Sequence, residues 1–148
     1  MSTEVDAVER AVVAMRRSMT RRTFARAAGH GESTAAYDVL DVVEAADDRA
    51  TVSSVATALQ VDQPRASRVV AAAVDAGWLV RVADQSDGRR AFLARTEAGR
   101  NVSEHLHGFR RSMFATAMKT WSDDERATFA RLLTDFVAQL PGTTSPDS

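Results

Sequence analysis

Residues 51–100 read TVSSVATALQVDQPRASRVVAAAVDAGWLVRVADQSDGRRAFLARTEAGR, and the fold is decided by the patterning of this stretch. Thr51 or Ser53 can cap exposed backbone N–H groups. Val52, Val55, Ala56 and Leu59 then recur at three- and four-residue spacing, which predicts a short helix with a narrow apolar stripe. Gln60-Val61-Asp62 breaks it, with Val61 apolar enough to be pinned beneath the turn. Asp62 is an N-cap, and Pro64 fits the first turn of a second helix, where its missing N–H costs nothing. That helix is expected to run to about Ala76 and to stop at Gly77, the residue type suited to a left-handed C-terminal cap.

Within the second helix, Ala66, Val70, Ala73 and Val74 form the inward stripe. Arg65, Ser67 and Arg68 fall near the start and largely off that stripe, so they are expected at the surface. Two arginines on a solvated helix face would ordinarily mean little. Behind a first helix and a short turn they stand where a DNA-reading helix places its base-contacting residues, and arginine can bind guanine in bidentate fashion. The helix dipole would favour a nearby phosphate. A hairpin follows, with flanks Leu79–Ala83 and Arg89–Ala94 around the polar turn Asp84-Gln85-Ser86-Asp87-Gly88. Asp87, Arg89 and Arg90 lie at its tip and Arg81 on the opposite flank. A thin arginine-bearing hairpin can lie along a minor groove, where negative potential attracts guanidinium groups. Thr96 is expected to cap the next helix, with Glu97 in its first turn.

In order and spacing this stretch resembles the winged helix of MarR-family transcriptional regulators. The resemblance is carried by Ala56-x-x-Leu59, by Asp62-Gln63-Pro64-Arg65-Ala66-Ser67-Arg68-Val69-Val70, and by Gly77 followed by Leu79 and Arg81. Asp87-x-Arg89-Arg90 and Thr96-Glu-Ala-Gly99 complete it. One departure is Arg95, where the family usually has an apolar residue before the threonine; either it weakens the packing of the wing, or its stem covers apolar surface while the charge reaches water. The resemblance implies a mainly α fold with a small β wing, a winged helix-turn-helix flanked by N- and C-terminal dimerisation helices. It also implies a homodimer on a pseudo-palindromic site in double-stranded DNA, with two recognition helices roughly 34–36 Å apart. The DNA-binding set is then Gln63, Pro64, Arg65, Ser67, Arg68, Arg81, Asp87, Arg89 and Arg90. An effector pocket for a small aromatic or amphipathic molecule would be drawn from Met19, Phe24, Tyr37, Phe109 and Met113, with His107 or Trp78 beside them. For any one of these, plain core packing is the simpler reading.

Composition narrows the remaining classes. A chain of 148 residues suggests a single domain with a workable core. The expected parts are a winged helix over 33–95, dimerisation segments over 4–30 and 97–140, and a disordered tail over 141–148. No apolar run approaches the roughly 20 residues of a membrane span. Glu4, Asp6 and Glu9 interrupt any leader-like segment, so a cytoplasmic protein is expected. Zero cysteines exclude disulfides, thiolate metal sites and thiol redox sensing. Basic residues are arginine except for Lys119, and alanine is abundant, which reads as GC-rich bacterial coding.

The net charge of −1 is low for a DNA-binding chain, so its distribution matters more than the sum. Residues 49–100 hold eight arginines against five acids, whereas residues 31–48 hold six acids and no base. The expected reading head is therefore locally basic, and its binding should weaken steeply with salt.

Flanking segments read as amphipathic helices. Residues 4–28 carry Val5, Val8, Val12, Met15, Met19 and Phe24 toward one side. Gly29-His30-Gly31 breaks that helix, and Ser33 or Thr34 caps one that runs to about Ala46 with Tyr37 and Leu40 inward and Asp38, Asp41 and Glu44 outward. A long helix over 97–120 follows the wing. Ser122-Asp123-Asp124-Glu125 is a capping box for a last helix bearing Phe129, Leu132, Leu133, Phe136 and Leu140, ended by Pro141-Gly142. Such apolar faces need covering, which a homodimer supplies.

There is no glycine-rich phosphate loop and no nucleophile elbow, so no enzyme, catalytic residue or cofactor is expected. His105 and His107 are two apart on a helix and cannot chelate as an i,i+4 pair would, so no metal site is expected either. The alternative from another class is a winged-helix protein-interaction module without DNA binding.

Overall fold

The computed structural model describes residues 2–19 and 34–142. Its elements are α1 (Thr3–Ser18), α2 (Thr34–Ala45), α3 (Val52–Leu59), α4 (Gln63–Asp75), β1 (Leu79–Ala83), β2 (Ala91–Arg95), α5 (Glu97–Ala117) and α6 (Asp123–Gln139). This is the mainly α fold with a small antiparallel wing that the sequence predicts. The chain divides into two compact units, Met1–His107 and Gly108–Ser148.

The first unit holds the core. Val39, Leu40 and Val43 of α2, Val55 of α3, and Ala66, Val70 and Ala73 of α4 are fully buried. Their i, i+3, i+4 spacing places each set on one helix face. Small residues on α4 let it lie close against α2 and α3, which both pack on it. Truncating a buried leucine such as Leu40 to alanine in a core of this kind typically costs 2–5 kcal/mol. The helix ends are set by side chains. Thr51 Oγ1 accepts from the Ser54 N–H while the Ser54 hydroxyl accepts from the Thr51 N–H, a reciprocal cap for α3. Asp62 Oδ1 accepts from the Arg65 N–H at 2.8 Å and starts α4. The α3–α4 turn is made by Gln60, left-handed at φ 55°.

The wing is antiparallel, with Leu79 opposite Arg95, Arg81 opposite Leu93 and Ala83 opposite Ala91. Leu79 and Leu93 point into the core. The second flank was expected over Arg89–Ala94, but β2 spans Ala91–Arg95. The shift has a local cause. Asp84 Oδ1 accepts from the Ser86 N–H and Asp87 Oδ1 from the Arg89 N–H, so the turn closes on itself and keeps Arg89 and Arg90 outside the ladder. At the wing's exit the Thr96 hydroxyl donates to the Gly77 carbonyl and accepts from the Gly99 N–H. Gly99 lies so close to the Trp78 carbonyl that a Cβ there would overlap it, which is why this position takes glycine.

Three expectations about the flanks need correction. The first helix ends at Ser18, where the Met19 N–H closes the last turn on the Met15 carbonyl, short of residue 28. The long helix after the wing ends at Ala117 and not near 120. Asp38, expected to point outward, is half-buried, with Oδ2 out of reach of solvent. Phe24, the Gly29-His30-Gly31 break, Ser33 and most of the expected tail lie outside the described residues.

In the second unit, the Ser122–Glu125 capping box forms as predicted. Arg126 donates to the Met118 carbonyl at 3.1 Å, and Trp121 meets Phe129 edge-on at 5.1 Å, which fixes the turn into α6. Leu132, Leu133, Phe136 and Val137 on α6 are nonetheless exposed, as are Val5, Val8 and Met15 on α1. Among the described residues no helix is long and apolar enough to cross a membrane.

Candidate nucleic-acid interface

α4 presents its first turns outward. Gln63, Pro64, Arg65, Ser67 and Arg68 are all exposed, while Ala66 and Val70 between them are buried. The alternation follows from the 100° step of the helix: residues 65 and 68 share a face that 66, 70 and 73 turn away from. Neither arginine is in an ion pair with an acid of its own chain among the bridges formed by the described residues, so both guanidinium groups present free donors. Gln63 Nε2 reaches Ser53 Oγ at 3.5 Å, a weak tie that brings the exposed edge of α3 beside the start of α4.

One expectation about this helix changes. Its N-terminus was read as a place where the dipole favours phosphate. The Asp62 carboxylate takes the Arg65 N–H and puts a negative charge at that end. Pro64 has no N–H to offer. The guanidinium groups, and not the helix end itself, are therefore the open cationic donors at this surface.

The wing adds a second basic element. Arg81, Arg89 and Arg90 are exposed. Asp87 sits among them with its carboxylate engaged by the Arg89 N–H, and the Arg90 N–H donates to the Asp87 carbonyl at 3.0 Å. Asp87 thus shapes the tip that presents the arginines. Asp84 plays the matching part on the other side: hydrogen bonds from the Ser86 N–H, then from its hydroxyl, hold its carboxyl below the ordinary range.

The sequence reading missed Arg49. Its guanidinium lies 4.4 Å over the Phe92 ring and it remains exposed beside the wing. An arginine closing the acidic run 31–48 was the available signal. The partner of Arg95 was also missed; it is Asp48.

Of the five residues expected to line an effector pocket, the structure places Tyr37 in a mostly apolar cleft of about 240 Å³. The others lining it are Asn101, Val102, His105 and Leu106. Tyr37 stacks on Trp78 at 5.3 Å, and burial pushes its phenol above the ordinary pKa of 10.0. Met19, Phe109 and Met113 are not among the residues around this cleft, and Phe24 is outside the described residues. His107 instead meets Glu44, with Nε2 2.8 Å from Oε2. Among the described residues no group of three or more His, Asp or Glu side chains is placed to hold a metal ion.

Comparison with known proteins agrees with this geometry. Residues 30–90 match the sequence model of the MarR family. A MarR family protein from Bacillus stearothermophilus has a similar fold, with a TM-score of 0.74 at 17% identity over 90% of each chain. A MarR transcriptional regulator from Methanosarcina mazei superposes at 0.68, with 17% identity over 88% of this chain and 94% of that one. Wild-type MarR from E. coli in its apo form does so at 0.67, with 20% identity over 88% and 95%. No curated protein sequence matches the chain.

Proposed function

We infer, from the match of residues 30–90 to the MarR family model, a homodimeric, sequence-specific DNA-binding transcriptional regulator that acts as a repressor. The observation that carries this reading is the pair Arg65 and Arg68, exposed and without an ion-pair partner among the described residues, on the first turns of a helix seated on a buried three-helix core. In the major groove these two, with Gln63 and Ser67, are of the types that read base edges. Arg81, Arg89 and Arg90 reach the flanking backbone or minor groove, where they supply affinity more than specificity.

The exposed apolar faces of α1 and α6 support a second copy of the chain as the partner. A two-fold dimer sets two recognition helices on one face of the duplex and makes the operator pseudo-palindromic. The cleft beside Tyr37 and Trp78 supports release by a small aromatic or amphipathic molecule. Such a ligand acts by preferring the dimer form whose recognition helices are wrongly spaced.

The test is a salt titration of the purified protein on the intergenic DNA upstream of its own gene, with random duplex as competitor. Preferential binding that weakens log-linearly with salt is the expected result. A folded dimer that binds no duplex at low salt would replace this reading with a winged-helix protein-interaction module.

A further inference from the structure

Four charged or titratable side chains meet at the root of the wing, away from the residues that face DNA. Arg95 Nε donates to Asp48 Oδ1 at 2.9 Å and Nη2 to Oδ2 at 3.1 Å, while the Arg95 backbone N–H donates to Oδ1 at 3.0 Å. Arg95 Nη1 lies 3.5 Å from Glu44 Oε2, and the same oxygen meets His107 Nε2. The Arg95 side chain is only 13% exposed and that of Asp48 22%. The next two residues also hold β2. Arg49 covers Phe92, and the Leu93 N–H donates to the Ala50 carbonyl at 2.7 Å. Residues 48, 49 and 50 thus grip 95, 92 and 93.

With Asp48 also replaced, an apolar residue at 95 could fill the same site without desolvating a charge, so the pair needs another explanation. A bidentate arginine–carboxylate pair fixes direction as well as distance, which an apolar contact does not. Asp48 is itself held in a left-handed conformation at φ 60°, after Asp47 at φ 52°, which aims its carboxylate. The leverage is large. From Arg95 to Arg90 the strand rises roughly 3.3 Å per residue, so a tilt of about 10° at the root moves the tip about 3 Å. A hydrogen bond to phosphate tolerates roughly 0.5 Å.

We propose that Arg95 is a positioning residue for DNA binding: its grip on Asp48, extended by Glu44 to His107, sets the angle at which Arg89 and Arg90 meet DNA. This role rests on the DNA-binding reading above. Removing the pair leaves the wing formed but swinging, so its arginines stop contributing to affinity.

The test uses the full chain with Arg95→Gln, Asp48→Asn and the double variant, which leaves no lone buried charge if a single change disturbs folding. Hydrogen exchange of the free protein should show the Leu93 amide exchanging at least tenfold faster, with Val70 in α4 unchanged. On DNA, the log–log salt slope should fall by about 2, as it does on losing the phosphate contacts of both Arg89 and Arg90. Arg89→Ala should then add nothing further in the Arg95→Gln background. Arg95→Lys, which keeps the charge but not the fork, should restore part of the slope. Unchanged Leu93 exchange, or a full additive effect of Arg89→Ala, would overturn the role. A wild-type chain that binds no duplex overturns the DNA reading itself, a result seen before any variant is made.

Discussion

At the scale of single residues, Asp48 carries the clearest acid–base signature. The hydrogen bond from the Arg95 side chain, foremost among several influences, holds its carboxyl below the ordinary value of 3.8. A carboxylate with a lowered pKa in the folded state contributes stability that is complete above the ordinary value and is lost as pH falls through the lowered one. The same pair raises Arg95, which stays charged throughout. Replacing Asp48 by asparagine should therefore cost roughly 1.5–3 kcal/mol at neutral pH, the range for a hydrogen bond to a charged group. The gap between wild type and Asp48→Asn in thermal unfolding should stay constant from pH 7 to about 5 and close below about 4. A gap independent of pH would show that the pair adds no charge-dependent stability.

At the scale of elements, the sequence yielded most where one side chain decides one boundary. Thr51, Asp62, Thr96 and Ser122 each stand where their hydroxyl or carboxylate satisfies the first N–H groups of a helix, and each helix starts there. The inward stripe of α4 was legible for the same local reason, because Ala66, Val70 and Ala73 follow the helical repeat. The start of β2 was not. It depends on two aspartates closing the hairpin turn on itself, and alternation alone would extend the strand back over Arg89. Arg95 was the least legible. An arginine in an apolar slot looks like poor packing until a carboxylate 47 residues upstream is brought beside it. The exposed arginine surface could be outlined from Arg65, Arg68 and the wing arginines. The cleft beside Tyr37 could not, since its lining comes from tertiary neighbours of Tyr37 on a helix far along the chain.

At the scale of the whole molecule, the exposed apolar faces of α1 and α6 are the feature that one copy leaves unresolved. Leu132 is 52% exposed and Phe136 38%, on a helix whose opposite residues are polar. If a second copy covers this face, Leu132→Glu should convert dimer to monomer in sedimentation while leaving the helical content of the winged part intact. A glutamate variant that remains dimeric would place the interface elsewhere. On the proposed reading, losing the dimer should also weaken DNA binding, because half-sites about one turn apart are read together only when two recognition helices are linked.

The central claim is that α4 reads sequence, and it is tested most directly by competition between preferred and random duplex for Arg65→Ala and Arg68→Ala. Each variant should lose ~1–3 kcal/mol of discrimination while keeping most of its affinity for random DNA. Equal losses on both duplexes would reduce these arginines to phosphate contacts and contradict the account of α4 as the reading helix.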